Sequence, residues 1–343
     1  MFLGGTTACP RAAPATIPIL HEACPILPGA AESARRSANV AAMPAPLAVP
    51  ALPALRELVS RHAAAGRPDT CVPGLGLHRA DAPTQPIAVV YEPMLCIVVQ
   101  GRKRVVFGDT VRDYDPAHCL VVSLDLPVVG AVREASAQAP YLAVSMRLDR
   151  TDLAALLMRM PPARDRETPP RGLEVAAIEA PLADACLRLA RLLDTPEDIP
   201  VLAPLFRREL LYRLLRGPQG PMLRQIARGE GRLGQVQQAI AWIREHYDRP
   251  LRIDALAAHV ALSSSSLHRH FKAATRLSPL QYQKQVRLQA ARERLIAERG
   301  DATTVAYAVG YESASQFSRE FKRLFGHPPS EAARRWREDG API

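Results

Sequence analysis

The chain has no Cys-x-x-Cys pair, no G-x-S-x-G turn and no phosphate-binding P-loop. Without paired cysteines, a zinc ribbon or a thioredoxin-like centre is not expected. Without the serine elbow or the P-loop, two common routes to hydrolytic and nucleotide chemistry lose their signatures. No apolar run approaches the roughly 20 residues of a membrane span. No lysine or arginine precedes the first apolar residues, so a secretory leader is not expected and a cytoplasmic location is. The six cysteines (Cys9, Cys24, Cys71, Cys96, Cys119 and Cys186) are widely spaced. A 343-residue chain that is 48% hydrophobic can build cores without disulfide staples, so these read as reduced, mostly buried thiols.

Acidic residues are in deficit. The net charge is +10, and +7 of it falls in residues 231–343. A basic excess concentrated in one third of a chain points to an acidic partner.

The length is right for two domains. Residues 1–50, rich in Ala and Pro without a sustained period, read as a disordered extension, with Met43 as an alternative start. PALRELVSRHAAA (53–65) reads as a helix. Short β-branched runs follow at 86–93, 94–101, 103–109, 118–125, 127–134 and 141–149. Their close spacing predicts a small barrel or jelly roll, with Gly108-Asp109 at a hairpin turn. Helical patterns occupy 151–160, 181–193 and 201–215. The last carries a wide apolar stripe, which fits either packing on the barrel or a contact between two copies of the chain. Gly217, Pro218, Gly220 and Pro221, then RGEGRLG (228–234), predict a linker over 217–234. From Gln235 onward the pattern is helical.

Two stretches in this last part repeat each other: AAHVALSSSSLHRHFKAATRLSP (257–279) and AYAVGYESASQFSREFKRLFGHPP (306–329). Their Phe-Lys pairs, Phe271-Lys272 and Phe321-Lys322, lie 50 residues apart. Each unit has a short helix, a tight turn, a serine cap and a second helix. Ser263 or Ser264, and Ser313, can accept the free N–H groups at a helix start. In the first unit Leu267, Phe271 and Ala274 fall on one side, while Ser265, His268, Arg269 and Lys272 fall on the other. The second unit repeats this with Phe317, Phe321 and Leu324 inside, and Ser315, Ser318, Arg319 and Lys322 outside. A helix, a turn and a half-buried basic helix make a helix-turn-helix, whose second helix fits the major groove. The expected contact residues are Ser265, Ser266, His268, Arg269, Lys272, Ser315, Gln316, Ser318, Arg319 and Lys322. Residues 279–298 predict a connecting helix roughly 30 Å long, close to the ~34 Å turn of DNA. Such a rod can hold two reading helices in successive grooves.

Residues 233–338 resemble the paired helix-turn-helix domain of the AraC/XylS family of bacterial transcription regulators, most specifically through AVGYESASQFSREFKRLFGHPP. Residues 70–160, with TCVPGLGLHRAD, VYEPMLCIVVQGRKRV and YDPAHCLVVSLDLPVVG, are similar to the N-terminal domain of one AraC-type subgroup. The first unit departs from the second at two turn positions: Ala261 stands where Gly310 does, and Arg276 where Gly326 does. Altered turns, or a weaker grip, are expected there.

The expected fold is therefore α+β in two domains: a cupin-like barrel with flanking helices over 51–216, and an all-α double helix-turn-helix over 235–338. The resemblance implies a sequence-specific regulator of transcription, an activator rather than a repressor. Its partners would be double-stranded DNA, a small-molecule effector, RNA polymerase and a second copy of the chain. No cofactor, metal or catalytic residue is expected. Tyr91, Cys96 and Gln100 are the candidate effector pocket. The rival reading is a metal-dependent cupin enzyme. It would need clustered ligands, but the strand region offers only His78 and His118, far apart. His268 and His270 cannot readily share a metal, because residues two apart on a helix diverge.

Overall fold

The computed structural model describes residues 49–64, 66–116, 118–161, 171–229, 231–297 and 301–338. The expectations for residues 1–48, including Met43, Cys9 and Cys24, lie outside the described residues.

Helix α1 (Ala51–His62) is followed by strands β1 (Leu75–Ala80), β2 (Ile87–Tyr91), β3 (Met94–Gln100), β4 (Arg102–Phe107), β5 (Thr110–Tyr114), β6 (His118–Val122), β7 (Leu126–Glu134) and β8 (Tyr141–Arg147). A ninth strand, β9 (Leu173–Ala177), comes after helix α2 (Arg150–Leu157). The strands make two antiparallel sheets, ordered β1-β8-β3-β6-β9 and β2-β7-β4-β5. Their inner faces meet, with Cys96 of one sheet beside Tyr114 of the other. Gly108, at φ +58, opens the two-residue β4–β5 turn, the position where a type II′ hairpin uses glycine.

The outer face of the first sheet is covered by helix. Asp149 starts α2 by accepting the N–H groups of Thr151 (2.7 Å) and Asp152 (3.1 Å). Helices α3 (Ala180–Arg191) and α4 (Ile199–Arg216) continue that layer. In α4, Leu210, Leu211, Leu214 and Leu215 are buried, while Val201 and Leu205 are 68% and 58% exposed. The C-terminal half of the predicted stripe thus packs inward, while in the N-terminal half Leu202 and Phe206 lie partly buried against the core and Val201 and Leu205 face solvent.

The segment expected as a linker, 217–234, is instead largely helical: α5 (Gly220–Arg228), then the start of α6 (Gly231–Glu245). Met222, Leu223, Ile226 and Ala227 are buried and hold α5 in the core. Pro221 lies in its first turn, where a missing N–H is harmless. Gly229, at φ +65, ends the helix. Of the glycines and prolines that read as a linker, Gly217 and Gly229 cap helix ends and Gly220, Pro221 and Gly231 lie in first turns.

The remaining helices are α7 (Ile253–His259), α8 (Ser264–Thr275), α9 (Pro279–Ala297), α10 (Ala302–Ala308), α11 (Ala314–Phe325) and α12 (Pro329–Glu338). Leu267, Phe271, Ala274 and Tyr282 belong to the same buried cluster as the barrel. A second cluster gathers Leu288, Ala291, Leu295, Val305, Phe317, Phe321 and Leu324, with Ala88 of β2 buried among them. The first helix-turn-helix therefore shares the barrel's core. The second builds its own and rests on the outer face of the second sheet.

Candidate nucleic-acid interface

The two repeat units are built from the same parts. Ser263 Oγ accepts the Ser266 N–H and Ser313 Oγ accepts the Gln316 N–H, each at 3.3 Å. Both second helices thus begin on a serine cap, as the sequence predicts. In α8 the buried residues are Leu267, His270, Phe271, Ala274 and Thr275. Ser265, His268, Arg269 and Lys272 are exposed, and Ser266 is half-buried. In α11 the buried residues are Phe317, Phe321 and Leu324; Ser315, Gln316, Arg319 and Lys322 are exposed, with Ser318 half-buried. All ten predicted contact residues lie off the core faces.

His268 and His270 separate as helix geometry requires, one in solvent and one in the core. Burial, then the charge of Arg269, pushes the His270 imidazole below its ordinary range, so it packs neutral. Among the described residues, Arg269, Lys272, Arg319 and Lys322 pair with no carboxylate, leaving four cations available to phosphates or base edges.

The altered turns expected of the first unit do not occur. Ala261 and Arg276 adopt the left-handed conformation at φ 53 and 58, matching Gly310 and Gly326 at φ 88 and 86. The geometry is kept despite the side chains, and the strain, about 1–2 kcal/mol per residue, is carried in the native state. Arg276 packs against Gly108 of the barrel hairpin.

Three functional side chains escaped the sequence reading. Arg287 donates to the carbonyls of Tyr247 (2.6 Å), Gly310 (2.6 Å) and Arg249 (2.9 Å). One helical turn before it on α9, Gln283 Nε2 donates to the Arg249 carbonyl at 2.7 Å. Together they fasten the connecting rod to the loop before α7 and to the turn before α11, fixing one unit relative to the other. Glu320 lies on the flank of α11, its side chain 13% exposed. It accepts from Lys284 Nζ (2.9 Å), Tyr311 Oη (2.8 Å) and Gln316 Nε2 (3.1 Å). Burial alone would push this carboxyl up, but the bonds from Lys284, Gln316 and Tyr311 outweigh it and hold it below the usual range. Only long-range contacts reveal these roles; a lone arginine or glutamate on a helix gives no sequence signal.

The barrel is clasped to the first unit through Asp125 in the β6–β7 connection. Its carboxylate pairs with Arg244 of α6. Its carbonyl accepts from Tyr282 Oη of α9 at 2.8 Å. The Gly172 N–H also donates to the Ala274 carbonyl at 3.1 Å.

Of the candidate effector residues, Tyr91 and Cys96 face the space between the sheets, but Gln100 does not. A bulge between Val98 and Gln100 shifts the β3–β8 register, which turns Gln100 to the outer face. There its amide donates to the Pro140 carbonyl at 2.8 Å. Burial pushes the Cys96 thiol up, so it packs as a protonated thiol.

The rival metalloenzyme ligands do not converge. His78 bonds Ser145 Oγ at 2.8 Å, and His118 bonds Asp115 at 2.8 Å. Among the described residues, no group of three or more His, Cys, Asp and Glu side chains is placed to hold a metal. None of the described helices is long and apolar enough to cross a membrane.

Comparison with known proteins reaches both domains. Residues 71–222 match the model of the AraC-type transcriptional regulator N-terminus, and residues 256–335 match a helix-turn-helix domain model. The chain joins an AraC-type transcriptional regulator N-terminus to a helix-turn-helix domain. Among relatives of this AraC-type chain is the HTH-type transcriptional activator RhaS of Yersinia pestis bv. Antiqua, 32% identical over 145 residues. That match covers 42% of this chain and 50% of RhaS, so the chain spans about half the length of the curated relatives it matches. Apo ToxT of Vibrio cholerae superposes with a TM-score of 0.52 at 10% identity, covering 78% of this chain and 98% of that one. ToxT bound to (E)-4-(8-methylnaphthalen-1-yl)but-3-enoic acid gives 0.52 at 11% identity, covering 76% and 97%. At such identities the ToxT likeness establishes the two-domain α+β fold alone.

Proposed function

We propose that this AraC-type protein is a sequence-specific regulator of transcription that grips one side of a DNA duplex with two reading helices. Ser265, Ser266, His268, Arg269 and Lys272 of α8 enter one major groove. Ser315, Gln316, Ser318, Arg319 and Lys322 of α11 enter the next. The observation that carries this reading is the pairing of two serine-capped helices, each with an exposed face of unpaired cations, on one braced rod. At 19 residues α9 is about 28 Å long, close to one DNA turn of ~34 Å. Arg suits guanine O6/N7, while Ser, Gln and His suit other base edges and phosphates.

The N-terminal barrel acts as the effector-sensing half. The Asp125 clasp supports coupling, because any ligand that shifts the β6–β7 connection differentially loads Arg244 and Tyr282. RhaS carries the name of a transcriptional activator, and activation, with RNA polymerase as the further partner, is the mode proposed here. The exposed Val201 and Leu205 on α4 favour pairing of two copies. The protein works in the cytoplasm and carries out no catalysis. The test is a mobility-shift titration on promoter duplexes against scrambled competitor. Preference for one promoter, weakened by Arg319→Ala and Arg269→Ala, supports the reading. Equal affinity for every duplex refutes it.

A further inference from the structure

The inner faces of the two sheets carry more polar chemistry than a packed barrel needs. Strand alternation and register place His78, Cys96, Tyr141 and Ser145 on the inner face of the first sheet, and Tyr91, Lys103 and Tyr114 on that of the second. Lys103 Nζ lies 5.5 Å from the centre of the Tyr91 ring. No carboxylate pairs with Lys103 among the described residues. Tyr114 and Tyr141 are each 1% exposed, and among the described residues neither hydroxyl has a hydrogen-bond partner other than the weak Cys96 thiol. The Cys96 thiol is the group both lie beside. Gly130 contributes no side chain here; a Cβ on it would stand 3.1 Å from Tyr91 Oη.

These groups bring one half-buried positive charge, no negative charge, and two buried phenols whose only neighbouring acceptor is the Cys96 thiol. Burial pulls the Lys103 ammonium down, but the Tyr91 ring and hydroxyl beside it hold the charge and the net displacement is upward, so the lysine stays charged. His78 adds no second cation: burial, then Lys103, takes its imidazole down to about 3. Buried polar groups ordinarily find partners, and a buried charge ordinarily finds a counter-charge. The missing partner is therefore an acceptor with a single negative charge. A carboxylate has about four acceptor sites on two oxygens, enough for the ammonium and several phenols. A phosphate, nearer two charges, calls for arginine or several cations. The walls beyond the polar groups are Val98, Leu120, Val105 and Val128, all buried, and they suit an apolar body.

We propose that the barrel interior binds a compact monocarboxylate, its carboxylate held by Lys103 and the hydroxyls of Tyr91, Tyr114 and Tyr141. This rests on the reading of the N-terminal half as an effector-sensing domain and gives its ligand a chemical class. The test uses the full chain and four probes: butyrate and benzoate, with butyramide and benzamide as neutral counterparts. Melting temperature is followed against probe concentration. At least one acid raises it saturably, and its amide does not. Tyr114→Phe and Tyr141→Phe each weaken the apparent affinity about tenfold, and Lys103→Met abolishes the shift. Should Lys103→Met fold poorly, the two Phe variants, which keep the ring, carry the test. The proposal is overturned if neither acid shifts the wild type, if the amides act equally, or if all three variants respond as the wild type does. DNA affinity of the wild type without any acid is read separately. Failure there sinks the regulator reading and leaves the acid result standing.

Discussion

Replacing Ala261 by glycine should stabilise the protein, although it removes a methyl group and adds no contact. Ala261 is exposed and sits at φ 53, where its Cβ is strained. The left-handed conformation costs an L-residue about 1–2 kcal/mol. Glycine removes that strain but gives back about 0.5–1 kcal/mol through its freer unfolded chain. The net gain is roughly 0.5–1 kcal/mol, a rise of about 1–3 °C for a chain of this size. The mirror substitution makes the argument sharper. Gly310 holds the equivalent place at φ +88, and a Cβ there would run into the Asp248 carbonyl. Gly310→Ala therefore adds both strain and collision, a loss of about 2 kcal/mol or more. Guanidinium melts of the full chain, followed by circular dichroism, measure both. If Ala261→Gly lowers the midpoint by as much as Gly310→Ala does, the claim that the two turns are equivalent is wrong.

Other expectations follow from the same geometry. Arg319→Ala should cost roughly 1–3 kcal/mol at the cognate site if it reads a base, and the selective loss over random DNA is measurable by competition binding. Raising salt should weaken binding along a log–log line whose slope shrinks by about one when Lys322→Ala removes a phosphate contact. Tyr282→Phe deletes the bond to the Asp125 carbonyl; about 1 kcal/mol of stability should go with it, along with part of any effector response, as melting and promoter assays would record. His78 is held neutral by burial, so its folded pKa lies below its unfolded value. Its contribution is present above about pH 6.5 and is lost as pH falls toward 3. His78→Gln should flatten the acid limb of the stability curve by about 1.4 kcal/mol per pH unit between those values. An unchanged slope would count against a neutral buried imidazole.

The helix-turn-helix units were legible because their signals are local. Serine caps, Phe spacing and Gly-bearing turns all fall within a couple of dozen residues, and the repeat doubles them. The barrel was only partly legible. Strands β2, β3, β4, β6, β7 and β8 announce themselves as β-branched runs. β1 carries Gly76 and His78, β5 is half polar, and β9 is the short edge stretch LEVAA, so none has a clean period. Their place is set by long-range pairing, as when β1 joins β8. Gln100 shows the limit: two-residue alternation puts it beside Cys96, and one bulged position reverses it. The apparent linker failed for a related reason. Gly and Pro break helices and also cap them, and only the burial of Leu223 and Ile226 tells which. The clasp at Asp125 joins residues 157 positions apart and leaves no trace in either segment alone.

The most direct test of the central claim is selection of binding sites by the purified chain from a pool of random duplexes. Two conserved blocks separated by about one helical turn, 10–10.5 base pairs centre to centre, are predicted, with Arg319→Ala erasing information in one block and Arg269→Ala in the other. A pool that shows no enrichment, or a single block that both variants degrade alike, contradicts the account.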